Sequence, residues 1–111
     1  MENKKYEIIW SPKAYRNIQE IYAFTLEKLG NERYAIKIVK KILKAINSLR
    51  LFPFMYPKIY IDRKIKRQLR RVTVGKYAVI YEVKNNKILI LYIFHENQNY
   101  SNLLLNQENL N

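Results

Sequence analysis

Apolar residues recur at helical spacing through the first half of the chain, in two consecutive segments. The first segment follows Ser11-Pro12, where a serine can accept the first free helix N–H groups and a proline suits the first turn. It stops at Gly30, which can adopt the left-handed geometry that ends helices. The second segment follows Asn31 and carries its lysines opposite its apolar positions. The pattern predicts one helix over 12–29, a second after Asn31, and an antiparallel hairpin between them.

Short runs of β-branched and aromatic residues outside the hairpin predict strands. One run, Tyr6–Trp10, precedes the first helix. Two pairs of residues later in the chain, Gly75-Lys76 and Asn85-Asn86, suit tight turns, because glycine and asparagine tolerate positive φ. These turns separate the remaining runs and predict an antiparallel meander with strands at about 68–74, 77–84 and 87–95.

A proline-containing segment at residues 51–62 joins the hairpin to the meander. Pro53 and Pro57 forbid a continuing helix and disfavour a central strand, so we expect a connector held down by Phe52, Phe54 and Tyr56. The order of elements predicts an α+β fold, with the helical hairpin on one face of a roughly four-stranded sheet. The expected core includes Trp10, Ile18, Ile42, Val79, Tyr81, Ile90 and Tyr92.

Length and composition predict one small domain over residues 1–111, with a polar, asparagine-rich tail at about 97–111. No apolar leader precedes the first strand, and no apolar run is long enough to span a bilayer. The chain has no cysteine and one histidine, which disfavours a metal site. We therefore expect a cytoplasmic protein that uses no cofactor.

The charge is the most unusual feature of the composition. The net charge is +12, from 21 Lys and Arg against 9 Asp and Glu. Such a balance indicates an acidic partner, either nucleic acid, an acidic protein, or both. A basic patch is the candidate surface, although it also fits a solvated edge strand that resists aggregation. Its members are Lys58, Arg63, Lys64, Lys66, Arg67, Arg70, Arg71 and Lys76.

Four segments occur in a set order over about residues 5–100: Trp10-Ser11-Pro12-Lys13-Ala14, Phe52-Pro53 with Pro57, Arg71 to Val83, and Phe94-His95-Glu96. This order and spacing resemble the RelE/ParE toxin superfamily. The resemblance implies the toxin half of a bacterial type II toxin–antitoxin pair. ParE-like members inhibit DNA gyrase, RelE-like members cleave mRNA in the ribosomal A site, and a labile antitoxin silences both.

Cleavage of RNA without a metal needs a base, an acid and a cation that holds the scissile phosphate. RelE-like nucleases tend to carry an arginine where this chain has Ala78, and another near Gln98 and Asn99. Those absences favour ParE-like inhibition of gyrase. If the chain is instead a nuclease, its catalytic residues would be Arg71, His95 and Tyr100, although His95 also fits a structural role at a strand end. A non-toxic, basic nucleic-acid-binding module is a further alternative.

The resemblance also implies a cognate antitoxin. The net charge predicts that its toxin-binding segment is acidic, and we expect that segment to be partly helical and to fold on contact. It would lie over the hairpin or the sheet edge. The candidate contacts are lysines on the outer face of the second helix, which also fit an ordinary solvated face: Lys37, Lys41 and Lys44.

Overall fold

A computed structural model describes residues 6–59 and 67–97 of the chain. Two helices pack on a five-stranded sheet with strand order β1-β5-β4-β3-β2. The predicted α+β fold is confirmed, with one strand more than expected. Among the described residues, no helix has both the length and the apolar character needed to cross a bilayer. The elements are β1 Glu7–Trp10, α1 Pro12–Leu29, α2 Glu32–Ser48, β2 Lys58–Ile59, β3 Leu69–Val74, β4 Tyr77–Lys84 and β5 Lys87–His95.

The helical hairpin begins and ends at the residues that the sequence indicates. The Ser11 hydroxyl accepts a hydrogen bond from the backbone N–H of Ala14 at 3.0 Å and donates one to the carbonyl of Leu91 at 3.0 Å. The same side chain therefore caps α1 and ties it to β5. Gly30 ends α1 at φ 61°, and the Asn31 side chain caps α2. Because these signals are local in the sequence, they predict the helix bounds well.

Strands β3, β4 and β5 form the antiparallel meander, and β1 and β2 pair with its two outer strands. The turn between β3 and β4 has Gly75 at φ 59°, and the turn between β4 and β5 has Asn85 and Asn86 at φ 52° and 65°. β1 pairs in parallel with β5, so the first and last of the described strands lie side by side. β2 is the extra strand, a two-residue segment of the predicted connector that pairs with β3.

Both faces of the sheet are apolar. A helix-side cluster lies between the helices and the sheet and includes Ile18, Ile42, Val79, Tyr81 and Ile90. A far-side cluster on the opposite face consists of the buried residues Leu69, Ala78, Ile80, Tyr92 and Phe94. Every predicted core residue except Trp10 is buried, and Trp10 is partly buried against the helix-side cluster.

Tyr92 belongs to the far-side cluster because of a β-bulge in β5. Ile80 pairs with Tyr92 whereas Tyr81 pairs with Ile90, so Leu91 is an additional residue on that strand. Without the bulge, Tyr92 and Ile90 would lie on the same face, since side chains alternate along a strand. The additional residue turns Tyr92 away from the helices.

Side chains from the sheet hold the connector by its backbone. The buried Tyr81 hydroxyl donates to the carbonyl of Pro53 at 2.8 Å, and the Arg70 guanidinium donates to the carbonyls of Tyr56 and Phe54 at 2.7 and 3.3 Å. Phe52 and Phe54, which we expected to anchor the connector, are 55% and 56% exposed. Pro53 is buried and Tyr56 is half-buried, so only part of the predicted aromatic anchor is present.

Tyr81 should make stability depend on pH in the alkaline range. Burial raises its pKa from 10.0 to about 12, against a smaller opposing effect of Arg70. The unfolded chain would lose this proton near pH 10.0 while the native state keeps it until about pH 12. The contribution of Tyr81 to the free energy of unfolding is therefore fully present below pH 10.0 and is lost as the pH rises from 10.0 to about 12.

Tyr81→Phe should remove this contribution to the pH dependence. The substitution should also cost about 1–3 kcal/mol near neutral pH, because the Pro53 carbonyl loses its hydrogen-bond donor. Urea unfolding at pH 8 and at pH about 11 would measure both effects. Tyr34→Phe is the control, since Tyr34 is 45% exposed. If the free energy of unfolding of Tyr81→Phe falls between these two pH values as much as that of the wild type, this account is wrong.

Candidate functional site

Arg71 and His95, two of the residues considered for nuclease chemistry, lie on opposite faces of the sheet. The Arg71 guanidinium stands 5.8 Å from the ring centre of Phe94, on the far side. His95 meets Tyr77 edge-on at 5.4 Å, and Tyr77 packs against the helix-side cluster. A base on one face cannot act on a phosphate held on the other. The third candidate, Tyr100, lies outside the described residues.

His95 ends β5 beside helix α1. Its Nδ1 accepts a hydrogen bond from the backbone N–H of Asn97 at 3.2 Å, a local contact typical of a strand end. A groove of about 420 Å³ separates His95 from α1, and Glu20 and Phe24 line its other wall. On the same wall, the Asn17 side chain accepts a hydrogen bond from the backbone N–H of Ile93 at 3.0 Å. This N–H lies on the edge of β5 past the point where the pairing with β1 ends, so Asn17 takes the place of a neighbouring strand.

The position at which a RelE-like nuclease tends to carry an arginine is part of an apolar surface in this chain. Ala78 is fully buried within the far-side cluster. Two cations stand over aromatic rings of that cluster: Lys13 lies 5.5 Å from the Tyr92 ring centre, and Arg71 covers Phe94. Ala78 itself offers no group that could hold a phosphate. Gln98 and Asn99, the other positions in question, lie outside the described residues.

The described members of the basic patch do not share one surface. Paired residues on adjacent antiparallel strands lie on the same face of a sheet. Arg70 pairs with Tyr81 and therefore lies on the helix side, as does Lys58, which pairs with Arg70. Arg71 pairs with Ile80 on the far side. Arg63, Lys64 and Lys66 lie outside the described residues.

All three described arginines of the basic patch, including Arg71 beside Phe94, have contacts within the fold. Arg67 forms an ion pair with Glu82 at 2.9 Å, and Arg70 binds the connector carbonyls. Lys58 and Lys76 are exposed, and Lys76 lies in the turn between β3 and β4. Replacing Arg70 would remove the connector's hydrogen bonds and replacing Arg67 would remove an ion pair, so Lys58 and Lys76 are better positions for testing contact with a partner.

The lysines proposed for antitoxin binding share the outer face of α2. Lys37, Lys41 and Lys44 are all exposed. They line a shallow groove of about 410 Å³ together with Ile36, whose side chain is 37% exposed. This face therefore combines positive charge with accessible apolar surface.

A family model for the ParE toxin of the type II toxin–antitoxin system parDE matches residues 8–100. The chain belongs to the ParE toxin family. The match includes both helices and the whole meander, so the family assignment and the described fold concern the same residues. No curated protein sequence matches this ParE-family toxin.

Two solved structures share the fold of this ParE-family toxin. One belongs to the chromosomal ParDE toxin–antitoxin system from P. aeruginosa; the TM-score is 0.68 at 20% identity, covering 83% of this chain and 97% of that one. The other is a chain of the RelBE2 toxin–antitoxin complex from Mycobacterium tuberculosis, with a TM-score of 0.55 at 16% identity, covering 85% and 94%. ParDE and RelBE systems thus share this fold, and the fold alone does not distinguish their targets.

Sequence reasoning missed one surface that the structure makes visible. Leu51, Phe52, Phe54 and Met55 are each more than half exposed, although Phe52 and Phe54 were expected to hold the connector down. The sequence feature that could have predicted this exposure is the presence of Pro53 within the segment and Pro57 just after it. Prolines bend the backbone and leave few ways to bury consecutive side chains.

Proposed function

We propose that this ParE-family toxin arrests growth by inhibiting DNA gyrase and does not cleave mRNA. The observation that carries the proposal is the buried Ala78 on an apolar face of the sheet. A nuclease must stabilise a dianionic phosphorane, and removing one such donor commonly costs about 10² to 10³ in rate. The separation of Arg71 and His95 on opposite faces supports the same conclusion. An inhibitor of gyrase needs only a binding surface.

The decisive experiment compares the two targets directly. The purified toxin would be added to gyrase with relaxed plasmid, and separately to ribosomes that carry a defined mRNA. We expect supercoiling to be inhibited and the mRNA to stay intact. Cleaved mRNA in the ribosomal A site, with gyrase activity unchanged, would refute the proposal. Salt-sensitive binding to generic duplex DNA with neither effect would instead favour a non-toxic nucleic-acid-binding module.

His95→Ala should leave growth arrest within about twofold of the wild type, because inhibition of gyrase needs no acid–base group at this position. Growth after induction would measure the effect, and thermal unfolding would show that the variant folds. Lys58→Glu with Lys76→Glu serves as a comparison that changes exposed charge without touching the strand end. Loss of arrest in folded His95→Ala would point to acid–base chemistry.

We further propose that an acidic antitoxin neutralises the toxin by lying along the outer face of α2. The two similar solved structures come from toxin–antitoxin systems, which supports a partner of this kind. The groove beside Lys37, Lys41 and Lys44 fits a segment with carboxylates on one side and apolar residues on the other. The net charge of +12 favours rapid capture of an acidic chain.

A further inference from the structure

Four large apolar side chains project from five consecutive residues after α2. We call Leu51, Phe52, Phe54 and Met55 the connector patch; they are 51%, 55%, 56% and 61% exposed. Single apolar residues are common on protein surfaces, but a contiguous group on a small protein marks an interaction site. Phe54 contacts Tyr6 edge-on at 6.1 Å, and no described contact removes the patch from solvent.

The backbone beneath the connector patch is fixed in place. The carbonyls of Pro53 and Phe54 accept the hydrogen bonds from Tyr81 and Arg70. Turn hydrogen bonds run from the N–H of Leu51 to the carbonyl of Ser48 at 3.2 Å and from the N–H of Met55 to the carbonyl of Phe52 at 3.4 Å. A loop fixed in this way loses little conformational entropy when it binds, so its exposed side chains can act as anchors.

The charge around the connector patch defines the chemistry of its partner. The Arg70 guanidinium lies 5.1 Å from the ring centre of Phe54, and Arg50 and Lys58 adjoin the patch in sequence and are exposed. No acidic residue occurs between Glu32 and Asp62. A second copy of the chain would bring these cations against one another, which disfavours self-association. The four side chains of the patch have no hydrogen-bond donor for phosphates and no group that reads base edges, which disfavours duplex DNA as the occupant.

We propose that the connector patch is the docking surface for the toxin's protein target, which presents an apolar pocket bordered by carboxylates. This inference rests on the proposed function, under which the pocket belongs to gyrase. A projecting, preformed loop fits a concave, folded partner. An antitoxin segment that folds on contact needs a groove to lie in, as the outer face of α2 provides. Target and antitoxin would then contact different residues of the toxin, and an antitoxin bound along α2 would block access of gyrase to the patch, which directly follows that helix.

The test replaces exposed side chains at two places. Phe52→Ala with Met55→Ala removes two side chains of the patch and leaves in place the residues whose carbonyls hold the connector, Pro53, Phe54 and Tyr56. Tyr15→Ala with Phe24→Ala is the matched control on α1, where both residues are 58% and 57% exposed. Met55→Ala alone serves as a milder variant. Thermal unfolding establishes that each variant is folded, and the probes are purified gyrase, a short duplex DNA and the protein encoded beside the toxin, which we expect to be its antitoxin.

We expect the Phe52 and Met55 double variant to bind gyrase at least tenfold more weakly and to lose growth arrest in parallel, which corresponds to a modest interface hot spot. The α1 control should stay within twofold, and binding to duplex DNA and to the neighbouring protein should be unchanged. Equal binding of gyrase by the variant and the wild type would overturn the inference alone. A selective loss of DNA binding or of binding to the neighbouring protein would also overturn it. If the wild-type toxin does not bind gyrase, the proposed function itself fails, and this inference with it.

Discussion

Ile42→Ala should lower the free energy of unfolding by about 2–5 kcal/mol, the range for deleting a large buried aliphatic side chain. Ile42 is fully buried in the helix-side cluster, where α2 faces the sheet. Native domains are typically stable by only about 5–15 kcal/mol, and the high net charge opposes compaction of this one. The loss would therefore be a large share of the toxin's total free energy of unfolding. Urea unfolding followed by circular dichroism would measure it.

The neighbouring residue supplies the control. Leu43→Ala removes a side chain of similar size one position along the same helix, but Leu43 is 41% exposed. We expect a change within about 0.5 kcal/mol, as for most surface substitutions. A loss equal to that of Ile42→Ala would mean that α2 packs with a different face toward the sheet.

Reversing Lys37, Lys41 and Lys44 together to glutamate should abolish neutralisation by the antitoxin. An acidic segment on the outer face of α2 would then meet like charges, which costs several kcal/mol and corresponds to a loss of affinity of roughly 10² or more. Toxicity should persist, because the connector patch is untouched. The measurements are the affinity for the antitoxin and growth when toxin and antitoxin are produced together.

A second triple reversal separates local contact from general attraction. Lys28, Lys84 and Lys87 are exposed lysines outside the α2 groove, so replacing them by glutamate changes the net charge equally. We expect the affinity for the antitoxin to fall only a few-fold, through slower association. Equal losses in the two variants would show that the antitoxin responds to overall charge and has no particular contact with α2.

Much of the fold could be predicted because its signals are short-range. Ser11-Pro12, Gly30 and Asn31 mark the helix ends within a few residues, and the turns at residues 75–76 and 85–86 set the meander. The place of β1 beside β5 depends on pairing between residues about eighty positions apart. β2 consists of two residues in a proline-containing segment, too short to show any periodicity.

The candidate site was harder to predict because it depends on which face each side chain occupies. Arg70 and Arg71 are adjacent in sequence, and the strand places them on opposite faces of the sheet. The bulge at Leu91 changes the face of the sheet on which every later residue of β5 lies, including His95, and no local sequence motif predicts the bulge. Composition shows that positive charge is abundant, but it does not show which cations are already engaged within the fold.

The parallel pairing of β1 with β5 has a consequence for synthesis of the toxin. β1 is synthesised before both helices, and its partner strand is not made until residues 87–90 have been added. A nascent chain therefore carries an unpaired first strand while both helices and most of the meander are translated. Contacts between distant segments form late in folding, and exposed strand edges invite misassembly. A chain interrupted before β5 would lack the strand that pairs with β1 and contacts α1, so growth arrest should depend on translation having passed that strand.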